Sequence, residues 1–303
     1  MTSSSRTKLG LVPFKVNGRL MHLDPDSISA VFGPIDPDGR FVGQHRAVLQ
    51  ELGKRRKVAL LAFPPKAAGT FLRTAIACAV DAAFVRTVHA QGGRDGVPYL
   101  PYFVNYFLDG IPNDGFVAHM HMLALPANLN FVEVFGIRPI VIKRNIPDML
   151  ASYWDMLDSD EEARKDGLNC HIPPDFPALP RAAKADFMID VIGPWYVNYY
   201  AGWLAYAARK PDGVLVLDYQ DLHDEPEAVL QAVIAHMGYS RTLQECAIAS
   251  AYVWRNRGEY RYNKGAIGRG RQYFAPEHIE RLARMMRPYP NLEAYKGELL
   301  GGS

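Results

Sequence analysis

Cysteine is scarce in this chain: Cys78, Cys170 and Cys246 are the whole complement in 303 residues. An odd number without Cys-x-x-Cys spacing supports neither a disulfide framework nor a zinc site, so the expectation is reduced thiols in a cytoplasmic protein. Excess charge is also missing, with 34 Lys and Arg against 32 Asp and Glu, a formal net of +2. No overall field draws nucleic acid, and any anion site must be local. Long apolar runs are absent too. Nothing approaches the ~20 residues of a membrane span, and the polar start MTSSSRTKLG has no signal-peptide character, so the chain is expected to be neither exported nor membrane-spanning. What remains is 49% hydrophobic and 22% charged, ordinary for a globular chain with one large α/β core.

The most informative stretch is VALLAFPPKAAGTFLR, residues 58 to 73. Its apolar run, Val58 to Phe63, halts at Pro64 and Pro65, as suits a strand covered on both faces. Beyond the turn, Phe71, Leu72, Ala75, Ile76, Ala79, Val80, Ala83 and Phe84 make one helical stripe. Lys66, Ala67, Ala68, Gly69 and Thr70 therefore sit at a helix N-terminus, where unpaired N–H groups and the helix dipole favour anions. An ordinary strand-to-helix turn with a solvated lysine explains the same residues. A Walker A loop does not, because that motif places its lysine after the glycines and Lys66 precedes Gly69.

Two more strand-to-helix transitions follow. Residues 139 to 153, PIVIKRNIPDMLASY, predict a strand ending in Lys143 and Arg144, then a helix with Pro147 in its first turn. Val214 to Leu217 predicts a strand before Asp218 and Tyr219, with a helix from about Pro226 to Met237. Before both of them, FVAHMHMLAL from Phe116 to Leu125 alternates like a strand and puts His119 and His121 on one face. Either histidine is explained as a hydrogen-bonded core or surface residue, and two histidines without carboxylates are weak metal ligands.

The connecting segments carry less information. Leu11 to Phe41 suggests short strands or an irregular arm that wraps the core, closes the site or joins a homodimer. Gln44 to Lys57 predicts a short helix whose basic end meets its own C-terminal dipole. Gln91 to Phe116 is too irregular for one long element and suits a binding loop, and Asp158 to Arg181 predicts a mobile loop. Trp195, Tyr196, Tyr199, Tyr200 and Trp203 line up on a helix with Pro194 in its first turn. Such a stripe is usually core.

These motifs resemble those of the sulfotransferases that use 3′-phosphoadenosine 5′-phosphosulfate (PAPS), of the cytosolic or bacterial type. Phe63 to Phe71 is similar to that family's Tyr-Pro-Lys-Ser-Gly-Thr-Thr-Trp, and Arg144, Asn145, Asp148, Ser152 and Tyr153 fit Arg-Asn-Pro-x-Asp-x-x-x-Ser-x-Tyr. Ala124, Leu125 and Pro126 resemble the Leu-Leu-Pro step that follows the family's general base, which places that role on His119. Tyr219 matches a tyrosine near the adenine, and Lys264, Gly265, Gly268 and Phe274 fit the C-terminal phosphate loop.

The resemblance spans about residues 58 to 282. It implies a central, mainly parallel sheet flanked by helices, like that of the P-loop nucleoside triphosphatases, with an arm and short helix over 1 to 57 and one sulfotransferase domain over 58 to 303. It implies sulfuryl transfer from PAPS to a hydroxyl of a small molecule, with Lys66 and His119 catalytic. The nucleotide would be held by Lys66, Ala67, Ala68, Gly69, Thr70, Phe71, Arg144, Ser152, Tyr219, Lys264 and Gly265.

Departures are evident. Ala67, Ala68 and Gly69 stand where the first motif has Ser, Gly and Thr, and Phe71 replaces its Trp. Ile146 and Pro147 invert the Pro-x order. Asn263 stands in place of an arginine, leaving Arg261, Arg269 or Arg271 to supply that charge. The rival readings are a P-loop kinase, with Asp218 as its magnesium carboxylate, and a nucleotide-binding protein without chemistry. Should neither histidine act, Asp114 or Glu133 is the next candidate base.

Overall fold

The computed structural model describes residues 12–16, 19–23, 40–87, 96, 98–108, 110–165, 170–256 and 267–302. Lys264 and Gly265, with Arg261 and Asn263, lie outside the described residues.

Two short strands, β1 (Val12–Val16) and β2 (Arg19–Leu23), pair antiparallel within the N-terminal arm. Five others form one sheet: β3 (Lys57–Ala62), β4 (Ala83–Val85), β5 (Gly115–Met120), β6 (Ile140–Lys143) and β7 (Leu215–Asp218). Their order is β4-β5-β3-β6-β7, and each neighbouring pair is parallel. In central β3 Ala59 to Ala62 are fully buried, as expected when both faces are covered.

The helices are α1 (Arg40–Gly53), α2 (Gly69–Val80), α3 (Leu100–Phe107), α4 (Pro126–Phe135), α5 (Ile146–Ser159), α6 (Glu161–Lys165) and α7 (Arg181–Phe187). A π-type turn over Met188–Ile192 joins α7 to α8 (Gly193–Arg209). Then come α9 (Tyr219–Asp224), α10 (Pro226–His236), α11 (Leu243–Arg255), α12 (Gly270–Tyr273), α13 (Pro276–Met286) and α14 (Lys296–Leu300). Among the described residues no helix is long and apolar enough to cross a membrane.

Several segments differ from the sequence expectations. The helical stripe beginning at Phe71 stops at Val80, because Asp81 adopts a left-handed φ of 51°, which breaks the helix ladder. Ala83 and Phe84 then belong to edge strand β4, with Phe84 exposed beneath the Arg73 guanidinium. Helix α1 starts earlier than Gln44 and ends at Gly53, so Lys54 to Lys57 follow the helix instead of closing it. Arg56 instead donates to the carbonyls of Asn113 and Leu108. Helix α3 occupies part of the segment read as a loop. Between Asp158 and Arg181, α5 runs on to Ser159, α6 follows, and Lys184 ties Asp158 to the Pro177 carbonyl.

The chain leaves β3 toward β4 and β5, then crosses to β6 and β7 on the other side. In open parallel sheets such a reversal leaves a crevice at the carboxyl ends of the strands. Helices α2 and α5 both start there.

Candidate active site

The loop after β3 is built from restricted backbone. Lys66 and Ala68 have φ of 65° and 60°, left-handed values that cost a residue with a Cβ about 1–2 kcal/mol. Ala68 stands where the resembling motif has glycine, and its φ is one glycine adopts freely. Ala68→Gly is therefore expected to raise Tm by about 2 °C, roughly the effect of 1 kcal/mol in a domain this size; a lower Tm in a thermal melt would remove the strain argument.

Ala68 is also the N-cap of α2 and places no side-chain acceptor on the first N–H groups of that helix. Those donors remain available for an anion, next to Lys66 and Thr70. Ala67 is buried, and Phe71 is buried with its ring tilted against Trp254 at 5.7 Å.

Strand β5 carries His119 beside this loop. The parallel register sets His119 opposite Leu61, so the imidazole lies at the carboxyl end of the sheet. It is 3% exposed. A Cβ on Gly69 would fall 2.3 Å from His119 Nε2, so the missing side chain is what lets α2 begin against the imidazole. His121 follows the end of β5, its Nδ1 lies 2.9 Å from the Phe63 carbonyl, and its ring meets His119 edge to face at 5.3 Å. A carbonyl only accepts, so that Nδ1 carries the proton. The two carboxylates held in reserve are elsewhere. Asp114 precedes β5 at the opposite end of the strand and pairs with Lys57, and Glu133 pairs with Lys210 on the far end of α4.

Arg144 follows β6 and is 8% exposed. Its guanidinium donates to the Lys66 carbonyl and stacks over Tyr219 at 3.8 Å. The resemblance assigns the Tyr219 ring to adenine, and here one face of it lies against the Arg144 guanidinium. Ser152 is buried on α5, two turns from Arg144. Asn145 caps α5 by accepting from the Asp148 N–H at 2.8 Å.

Buried Asp148 accepts from the N–H groups of Gly268 and Gly270, both at 2.7 Å. The end of the C-terminal loop is thereby fastened to the start of α5 by charge-assisted bonds. Pro147 completes the joint: a Cβ on Gly270 would meet its side chain at 2.3 Å. Of the arginines proposed to replace Asn263, Arg269 is paired with Asp155 at 2.6 Å and Arg271 donates to the Gly301 carbonyl. Asp218 is also committed, to Lys143 through one oxygen and to the Gln220 N–H through the other. Burial alone would lower the Lys143 pKa, yet Glu298 and Asp218 hold its ammonium and the net shift is upward.

Helix α8 was legible as core, and Tyr196, Tyr199, Tyr200 and Trp203 are indeed fully buried. Their polar tips were not foreseen. They reach the carbonyls of Pro65, Ala62, Arg144 and Met122, respectively, at 3.2, 2.6, 2.7 and 2.7 Å. One helix therefore supports the ends of β3, β5 and β6. The available signal was the buried Tyr and Trp polar tip, which needs a partner.

Lysine, arginine and an uncapped helix start converge beside a histidine at the switch point of a parallel sheet, as in an enzyme that transfers an anionic group. The chain belongs to the sulfotransferase-domain family, whose sequence model matches residues 113–298. The loop at Lys66 precedes that match, so its assignment rests on geometry and on the motif.

The fold is similar to that of mouse sulfotransferase SULT7A1, solved with PAP: the TM-score is 0.60 at 14% identity, covering 96% of this chain and 99% of that one. Retinol dehydratase in complex with androsterone and inactive cofactor PAP gives 0.46 at 14% identity, covering 93% and 96%. A sulfotransferase from Alicyclobacillus acidocaldarius gives 0.44 at 14% identity, covering 82% and 97%. No curated protein sequence matches the chain.

Proposed function

We propose that this sulfotransferase moves a sulfuryl group from PAPS to a hydroxyl of a small-molecule acceptor, with His119 as general base. The observation that carries the reading is the loop from Lys66 to Thr70, which opens an uncapped helix between His119 on one side and Arg144 on the other. The donors fit a nucleotide of this kind: an ammonium, a guanidinium and free helix N–H groups are what a polyanion requires.

When bound, the nucleotide supplies the sulfuryl group together with the phosphate that leaves it. Lys66 and the N–H groups of Gly69 and Thr70 stabilise negative charge that grows on that leaving phosphate. His119 takes the acceptor's hydroxyl proton as the oxygen bonds to sulfur. Arg144 and Ser152 hold the 3′-phosphate, and the resemblance also gives Phe71, Lys264 and Gly265 to the nucleotide. A kinase reading fares worse, since both oxygens of Asp218 are engaged by its own chain. The cytoplasmic reading rests on the sequence, in which three cysteines lack disulfide-like or Cys-x-x-Cys spacing.

The test is to incubate the protein with PAPS and an acceptor library and look for products heavier by one sulfuryl group. Nucleotide binding with no such product would favour a binding protein without chemistry. Lys66→Met is expected to lower turnover far more than nucleotide affinity, because its charge acts chiefly on the transition state. Lost affinity with full turnover at saturation would make Lys66 a binding charge only.

A further inference from the structure

We infer that Tyr200 is a positioning residue for Arg144, fixing the arginine's main chain so that its guanidinium meets the nucleotide's 3′-phosphate. The inference rests on the reading of Arg144 given above. The Tyr200 hydroxyl accepts from the Arg144 N–H at 2.8 Å and donates to the Arg144 carbonyl at 2.7 Å. One hydroxyl thus satisfies both main-chain polar groups of a single residue. The next carbonyl, that of Ile142, stands off at 3.5 Å.

Arg144 is where this matters. The residue leaves β6 after its last ladder position, Lys143, and precedes α5, whose N-cap is Asn145. Its peptide groups thus fall at the junction, after the last ladder position of the strand and before the N-cap of the helix. Buried main-chain groups without partners cost about 1–3 kcal/mol each, and Tyr200 removes that cost in one geometry only. The hydroxyl is suited to the task, because burial pushes its pKa far up and keeps the proton on oxygen. The guanidinium is then held at its other end by the Tyr219 face and the Lys66 carbonyl. Backbone and side chain are both set before any ligand arrives, the kind of preorganisation that lowers the cost of binding.

Tyr199 supplies the matched control. It is the preceding residue on α8, is equally buried and donates to a carbonyl at 2.6 Å, but that carbonyl belongs to Ala62 on β3. Loss of its hydroxyl should have a comparable structural cost without touching Arg144.

The experiment titrates adenosine 3′,5′-bisphosphate and adenosine 5′-monophosphate, which differ only in the 3′-phosphate, into five proteins by calorimetry. These are the wild type, Tyr200→Phe, Tyr199→Phe, Arg144→Ala and the Arg144→Ala/Tyr200→Phe pair. Tyr200→Phe is expected to weaken bisphosphate binding about ten-fold and leave monophosphate binding within about two-fold. Tyr199→Phe should preserve the ratio between the two ligands. Adding Tyr200→Phe to Arg144→Ala should change that ratio no further.

Equal loss for both ligands in Tyr200→Phe, or a ratio like that of Tyr199→Phe, would reduce Tyr200 to a packing residue and overturn the inference. If Arg144→Ala itself keeps the wild-type preference for the bisphosphate, the reading of Arg144 has failed and the inference falls with it.

Discussion

Replacing His119 by alanine is expected to lower turnover by about 100- to 10,000-fold, the range for loss of a general base, with nucleotide affinity nearly unchanged. The imidazole stands at the carboxyl end of β5 against the first residue of α2, beside the loop to which the proposal gives the nucleotide. An acceptor alcohol must lose its proton there, and no carboxylate considered for the role is near: Asp114 and Glu133 are paired with lysines elsewhere. His119→Gln, which keeps a polar side chain of similar reach without a base of suitable pKa, separates chemistry from a packing defect and should lose as much. His121→Ala should cost much less. Sequence spacing put the two rings a strand repeat apart, whereas they touch edge to face at 5.3 Å, with His121 engaged by the Phe63 carbonyl. Its effect should therefore come through the packing of His119. Steady-state kinetics with saturating donor decides the matter: a larger loss from His121→Ala than from His119→Ala would transfer the role of base to His121.

Strands β3 and β6 were legible as short apolar runs, the first halted by Pro64 and the second giving way to Lys143 and Arg144, and β5 was legible from its alternation. Helix starts were legible where proline marks the first turn, at Pro147 and Pro226. The end of α2 was not. Its apolar stripe continues through Ala83 and Phe84, and only the left-handed Asp81 shows that the chain has already turned. Helix α3 was hidden by the Gly, Pro and aromatic residues around it, which locally favour irregular structure.

Lys66 and Arg144 stood out because each follows a strand, whereas the choice of His119 over His121 came from the resemblance at Ala124, Leu125 and Pro126. Tyr200 and Asp148 were not readable in their roles, since their partners lie 56 and 120 or more residues away. A one-dimensional pattern shows that a tyrosine is buried in a helix face; it does not show which carbonyl its hydroxyl meets.

Gly69→Ala is expected to lower turnover about 100-fold and to cost about 1–3 kcal/mol of stability. The added methyl carbon would sit 2.3 Å from His119 Nε2 and 2.5 Å from Cε1, well inside contact distance. The ring has little freedom to retreat, being buried with His121 on one edge and Phe63 at 6.3 Å on another. Either the imidazole turns or the start of α2 shifts away from β5, and both displace the base relative to the loop that carries Lys66. The resembling motif has threonine at this position, and in this chain the His119 ring lies where a side chain there would begin. A double-mutant cycle makes the argument exact. In a His119→Ala background the ring is gone, so Gly69→Ala should be nearly neutral in a thermal or urea melt. A stability loss of equal size with and without the His119 ring would place the cause in the backbone of α2 and remove the contact between Gly69 and His119 from the explanation.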